Sequence, residues 1–179
     1  MTGVILRTAD LHWVDRVVEN PTDQCVHGSV ELTANGTTLV APGEHAWNLT
    51  AAGLFLLRTL TENNTASDSV CEANYLFPCC GFNPMLVGNG KYPLVIQGCP
   101  NGINVSVEHL DDGVRLSADN GPTALISPAE WRSAVLGFVA EIEGWYARNT
   151  PRAEPGSEFD ARGWAALWNE WKSRREAGR

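Results

Sequence analysis

The side chains best equipped for chemistry crowd into Phe77-Pro78-Cys79-Cys80-Gly81-Phe82, and Cys99 follows in a Gly98-Cys99-Pro100 turn. Thiols in such a setting can ligate a metal, act as a nucleophile, form a redox pair, or fill space as small apolar groups. Successive residues of an extended segment point to opposite sides, so Cys79 and Cys80 would not easily share one metal ion. Cys25 and His27, two apart, would share a face. A four-ligand zinc site can therefore be drawn from Cys25, His27, one of Cys79 and Cys80, and Cys99. Zinc sites usually show paired short spacings such as C-x-x-C, and the chain contains none. A second arrangement makes Cys79, Cys80 or Cys99 a nucleophile with His27, His45 or His109 as its base, although no family signature surrounds these cysteines. The favoured reading is the third, in which the thiols are small buried hydrophobes and neither a metal nor a cofactor is needed.

Other candidate groups are weaker. His109 falls on the apolar side of its strand, where a neutral imidazole with one satisfied nitrogen is the ordinary outcome. His45 with Glu44 could do acid–base work, but such pairs are common on surfaces. Asp10, Asp15, Glu19 and Asp23 make the N-terminal region acidic without revealing a catalytic pair. Gly81, Gly88, Gly90 and Gly98 follow no phosphate-binding pattern and read as turns.

The elements that must position these groups follow from periodicity and turn chemistry. Leu11 to Val18 is too polar and irregular to assign. Cys25 to Ala34 alternates as a strand, Asn35-Gly36 is a type I′ turn signal, and Thr37 to Ala41 returns. Asn48 or Thr50 caps a helix whose residues Ala51, Ala52, Leu54, Phe55, Leu56, Leu57 and Leu60 leave almost no polar face, so it should be buried. Thr61 to Cys71 reads as a surface loop. From Tyr75 to Ile126 the pattern is a β-meander, broken by turn clusters at Pro100-Asn101-Gly102, Asp111-Asp112-Gly113 and Asp119-Asn120-Gly121-Pro122. Ile103, Val105, Val107 and His109 share its dry face, while Asn104, Ser106 and Glu108 share the wet one. A two-residue Asp112-Gly113 turn would set His109 opposite Leu116 and Val107 opposite Ala118.

Ser127-Pro128-Ala129-Glu130 spells a capping box with proline in the first helical position. The apolar stripe Trp131, Ala134, Val135, Phe138, Val139, Ile142, Trp145 and Tyr146 then predicts a helix across the dry face, ending before Pro151. A linker over 150–158 leads to a terminal helix over 159–176 that carries Trp164, Leu167, Trp168 and Trp171 on one side. That stripe should dock on its own domain with Trp168 deepest, although the linker would also let it serve a homodimer or anchor a partner. The expected fold is α+β: one antiparallel sheet of about five to seven strands, the long helix, a second buried helix and the aromatic helix, in a single domain over 1–179.

Composition narrows the partners. A formal charge of −8 argues against nucleic acid, whose phosphates demand clustered Lys and Arg, and is compatible with a basic protein partner, although most acidic proteins have none. No segment approaches the apolar length of a membrane span, and the first ten residues lack a signal peptide's pattern. The expected compartment is therefore the cytoplasm, where thiols stay reduced and the sequons at Asn35, Asn48, Asn63 and Asn104 go unused. Arg supplies eleven of the thirteen basic residues, which fits a GC-rich bacterial genome.

Three blocks stand out as units: Phe77 to Phe82, Gly98 to Ile103, and Phe159 to Trp171. With the acidic α+β layout they give the chain a resemblance to the small cytosolic immunity proteins that bacteria encode beside polymorphic toxins. The resemblance lies in layout and assigns no functional residue. It implies a non-catalytic protein that engages a partner through an acidic surface rimmed with aromatics; the candidate binding residues, Trp164, Trp168 and Trp171, come from the helical stripe alone. The alternative is a small thiol- or metal-dependent catalyst built on Cys79, Cys80 and Cys99 with a histidine.

Overall fold

The computed structural model describes residues 3–13, 24–43, 45–71, 75–79, 84–88, 90–96, 98, 100–149 and 154–178. It opens with a strand the sequence reading did not assign, β1 (Val4–Trp13). Its period is blurred because Ile5 and Ala9, both apolar, lie on its exposed side, and because the register slips between Ala9 and His12. β1 pairs antiparallel with β2 (Val26–Ala34), and β2 pairs with β3 (Thr37–Val40) and β4 (Trp47–Asn48). Asn35 and Gly36 take φ of 51° and 80°, the doubly positive pair that a type I′ turn requires.

Helix α1 (Leu49–Arg58) follows, with the Asn48 side chain accepting from the Ala51 N–H at 3.0 Å, and all ten of its residues are buried as its missing polar face predicted. The next stretch holds β5 (Phe77–Pro78), β6 (Pro84–Leu86), β7 (Leu94–Ile96), β8 (Gly102–Ile103), β9 (Val105–Leu110), β10 (Gly113–Ala118) and β11 (Thr123–Ile126). The antiparallel α+β class holds, but the expected single sheet is divided among the described residues into four: β1–β4, β9–β11, β5 with β8, and β6 with β7. Pro78, Pro84, Pro93 and Pro100 explain the short pieces, since proline donates nothing to a ladder.

The meander has the expected faces but a different register. Val114 lies opposite His109, Leu116 opposite Val107 and Ala118 opposite Val105, a shift of two residues from the sequence expectation. Gly113 is spent inside β10 instead of in the turn, because a Cβ there would come within 2.6 Å of the Ile126 carbonyl oxygen. Val105, Val107, Val114 and Leu116 are fully buried, each worth roughly 1.5–3 kcal/mol of transfer free energy. His109 donates from Nε2 to the Thr59 carbonyl at 2.9 Å, so one ring nitrogen is satisfied as expected.

The segment from Thr61 to Cys71 is not simply a surface loop. Asn64 exchanges backbone hydrogen bonds with Val107 and its Nδ2 donates to the Val105 carbonyl at 2.9 Å, so this buried asparagine continues the ladder beyond β9.

Helix α2 (Pro128–Arg148) has both halves of the capping box and buries Trp131, Val135, Phe138, Val139, Ile142 and Trp145. It lies chiefly along β1, with less contact on β10, so the β1–β4 sheet takes the cover that the meander was expected to have. Helix α3 (Glu158–Ala177) starts from Ser157, whose hydroxyl accepts from the Asp160 N–H at 3.1 Å, and packs on β6, α1 and β7. Two glycines permit that close approach. A Cβ on Gly163 would collide with the Pro84 carbonyl, and one on Gly53 with the Trp171 ring. The buried apolar side chains form one continuous cluster, to which α3 contributes Trp164, Leu167 and Trp171. No helix among the described residues is long and apolar enough to cross a membrane.

Candidate functional site

Among the three described cysteines the structure separates one from the other two. Cys25 and Cys71 are 4% and 6% exposed, as small buried hydrophobes should be, and Cys25 Sγ lies 3.4 Å from Asn48 Nδ2. His27, also buried, donates from Nδ1 to the Cys25 carbonyl at 3.2 Å, so Cys25 and His27 belong to the β2–β4 interior. Cys79 is different. It is partly exposed at the end of β5, with its N–H bonded to the Asn101 carbonyl, and its Sγ lies 3.4 Å from His45 Nε2. The His45 ring rests on Trp47, centroids 4.2 Å apart, and β4 lies against β5, which is how residues 34 apart in sequence meet. A thiol touching an imidazole nitrogen can give up its proton to it, which makes the sulfur nucleophilic.

Cys80, Cys99 and Glu44 lie outside the described residues, as do Asp15, Glu19 and Asp23. Among the described residues no three His, Cys, Asp or Glu side chains gather as metal ligands would, and the drawn zinc site calls also on Cys99 and one of Cys79 and Cys80, of which only Cys79 is described.

The tryptophan stripe behaves otherwise than expected in one respect. Trp171 is the most buried at 3%, Trp164 follows at 7%, and Trp168, expected deepest, keeps exposed surface. Trp171 Nε1 donates to Glu143 at 2.9 Å, while Trp168 stands edge-on to Tyr146 and Trp171 along an aromatic row that continues to Trp145 and Trp13. The helix thus docks on its own chain, and Trp168 is the member of the stripe that a partner could touch.

Docking is secured by a polar cluster that periodicity did not reveal. Arg58, 2% exposed, donates from Nε and Nη2 to Glu170 at 2.8 and 2.9 Å, and also to the Val70 and Leu94 carbonyls at 2.8 and 3.0 Å. Its guanidinium lies 3.8 Å from the Tyr92 ring centroid. Arg174 bridges Glu170 and Glu62, and Tyr92 donates to Glu62 at 2.6 Å. Burial alone would raise the Glu170 carboxyl, but hydrogen bonds and charge from Arg58 and then Arg174 outweigh it and hold it below its ordinary value. The same balance, with Tyr92, Arg174 and Lys91 as partners, lowers Glu62. Burial and the Glu62 hydrogen bond push the Tyr92 hydroxyl up to about 12. The signal in sequence was Arg58 itself, one cation closing an otherwise apolar helix.

Among the described residues, two surface grooves bear on binding. One, of about 340 Å³ between α2 and α3, is lined by Trp168, Trp171, Glu143, Lys172, Arg175 and Glu176. Within it Arg175 pairs with Glu143 at 2.7 Å, and the lining carries two acids and two bases. The other, of about 380 Å³, runs between β1 and α2, with Val4, Ile5 and Leu6 on one wall and Ser133, Ala134 and Gly137 on the other. Glu130 and Glu141 stand at its two ends. Glu141 accepts from the Thr8 N–H and hydroxyl at 2.8 and 2.6 Å, and Glu130 accepts from Ser127 in the capping box. All of these donors are neutral, so none of them sets a cation against either carboxylate. The Ser127 hydroxyl, then its backbone N–H, holds Glu130 below the ordinary carboxyl value. Sequence reasoning missed this groove; the available signal was Gly137, a glycine inside a strongly amphipathic helix. Comparison of the chain with protein-family models, with curated proteins and with solved structures finds no match.

Proposed function

We propose that this chain is a non-catalytic binding protein that engages a basic protein partner through an acidic, partly apolar surface. The observation that carries the reading is the β1–α2 groove, where two carboxylates bonded only to neutral donors flank the exposed Ile5 side chain. A cationic segment entering it would gain charge attraction at both ends and apolar contact in the middle. The overall charge of −8 adds steering toward such a partner, an effect that weakens as salt rises. The resemblance to immunity proteins points to the same class of activity.

Titrating the 15N-labelled chain with octalysine and with octaglutamate tests this. Octalysine should shift amide signals of residues 4–8 and 130–141 at low salt and lose the effect at 0.5 M salt, while octaglutamate should shift none. Octalysine leaving those signals unmoved at low salt would refute the reading.

A second reading, a thiol-dependent catalyst, is favoured by the His45–Cys79 contact at 3.4 Å. It requires Cys79 to alkylate with iodoacetamide at least tenfold faster near pH 7 than Cys25 and Cys71, and His45→Gln to remove that advantage. Peptide mapping by mass spectrometry reads out each thiol separately. Equal rates at the three positions would dispose of it.

A further inference from the structure

We infer that the β1–α2 groove takes an extended, basic segment of the partner as an added strand along the free edge of β1, a mode of recognition that rests on the binding function proposed above. The starting point is the hydrogen-bond parity of β1. Thr8 pairs in register with Val30, yet its N–H donates to Glu141 instead of into the ladder. Gly3, on the opposite parity, accepts from the Asn35 N–H on the β2 side. Residues two apart in a strand direct their backbone groups to the same side, so the N–H and C=O of Val4 and Leu6 and the C=O of Thr8 point away from β2. Among the described residues β1 is the terminal strand of its sheet, and those groups face the groove that Val4, Ile5 and Leu6 line. An edge of this kind is a template for another strand.

The opposite wall agrees with an approaching backbone. Ser133, Ala134 and Gly137 are small, and a Cβ added at Gly137 would meet nothing within 4 Å. Glycine weakens a helix interior relative to alanine, and no described residue fills the space that its absent side chain leaves. The space is therefore available to a visitor. Charge selects which visitor. A second copy of this chain would bring its own −8 and its own Glu130 and Glu141 against the same carboxylates, whereas a segment carrying Lys or Arg on alternate positions would place cations beside them. Alternate apolar residues of that segment would then cover Ile5, which is 44% exposed.

The test uses the full 15N-labelled chain, the acetylated and amidated peptide Lys-Val-Lys-Val-Lys-Val, and an analogue N-methylated at every second residue, which keeps the charge but removes one row of N–H donors. The plain peptide should shift Val4–Thr8 and Ser133–Glu141, slow exchange of the Leu6 amide proton at least fivefold, and bind at least fivefold more tightly than the methylated analogue. Gly137→Leu, whose added Cβ meets nothing within 4 Å and whose longer side chain would project from the groove wall, should abolish binding while leaving the far-UV circular dichroism and melting temperature intact or raised. Equal affinity for both peptides, with octalysine still seated in the groove, would overturn strand addition while leaving the proposed function standing. Shifts confined to the Trp168 surface would overturn the location. Concentration-dependent shifts of the same amides without peptide, with dimer in sedimentation, would assign the edge to a second copy and overturn the basic occupant.

Discussion

Replacing Glu170 by Gln asks the most of the structure's energetics. The substitution keeps the shape of the side chain and one acceptor but removes the charge that faces Arg58, a cation only 2% exposed. Arg58 would retain the Val70 and Leu94 carbonyls and the Tyr92 ring, all neutral, and Arg174 would retain Glu62. Opposite unit charges about 4 Å apart attract by about 4 kcal/mol at an effective dielectric near 20, and removing one partner of a buried pair costs about 3–5 kcal/mol. Glu170 is 19% exposed, which places the expected loss near the bottom of that range, about 3 kcal/mol. Urea titration at pH 7 measures it, with Glu108→Gln as the control. Glu108 pairs with Arg115 at side-chain exposures of 32% and 45%, so its loss should stay below about 1 kcal/mol. Acid adds a second signature. The folded-state Glu170 carboxyl sits below its ordinary 4.5, so its contribution is complete above that value and vanishes as pH falls through the folded value. Glu170→Gln should therefore flatten the acid limb of the stability profile relative to wild type. A loss under 1 kcal/mol, or an unchanged acid limb, would refute the claim that this pair fastens α3.

Three further outcomes follow from the geometry. Gly163→Ala should cost several kcal/mol in urea titration, because the added Cβ collides with the Pro84 carbonyl and must lift α3 from β6, whereas Gly137→Ala should stabilise by about 0.5–1 kcal/mol. Val107→Asp or Leu116→Asp should cost several kcal/mol by burying an unpaired charge, and Ser106→Ala under about 0.5 kcal/mol; equal losses would void the face assignment. Truncation after Pro155 removes Trp164, Leu167 and Trp171 from the core and should lower the melting temperature sharply, so an unchanged melt would mean that α3 is not part of the fold.

The parts of this molecule legible in its sequence are those whose cause lies within a few residues. The Asn35-Gly36 turn, the Asn48 and Ser127 caps, the all-buried α1 and the alternation of β9 each follow from neighbours in the chain, and each is found where the pattern put it. The class of the fold followed from adding them together. Register was already beyond reach, because the place of Gly113 was decided by a carbonyl on β11 that crowds it. β1 was hidden for a related reason. An edge strand exposes one side, so nothing forces its exposed residues to be polar, and Ile5 and Ala9 erased the period.

What only the tertiary structure decided is which distant groups meet. Arg58 and Glu170 are 112 residues apart, His45 and Cys79 34 apart, and Thr8 and Glu141 133 apart, and no spacing rule connects any of these pairs. Trp171 displaced Trp168 as the deepest ring because the missing side chain of Gly53 opened a space on α1. The groove has the same origin. Its two walls lie far apart in the chain, in β1 and α2, and a concavity exists only after long-range burial has set one element beside another.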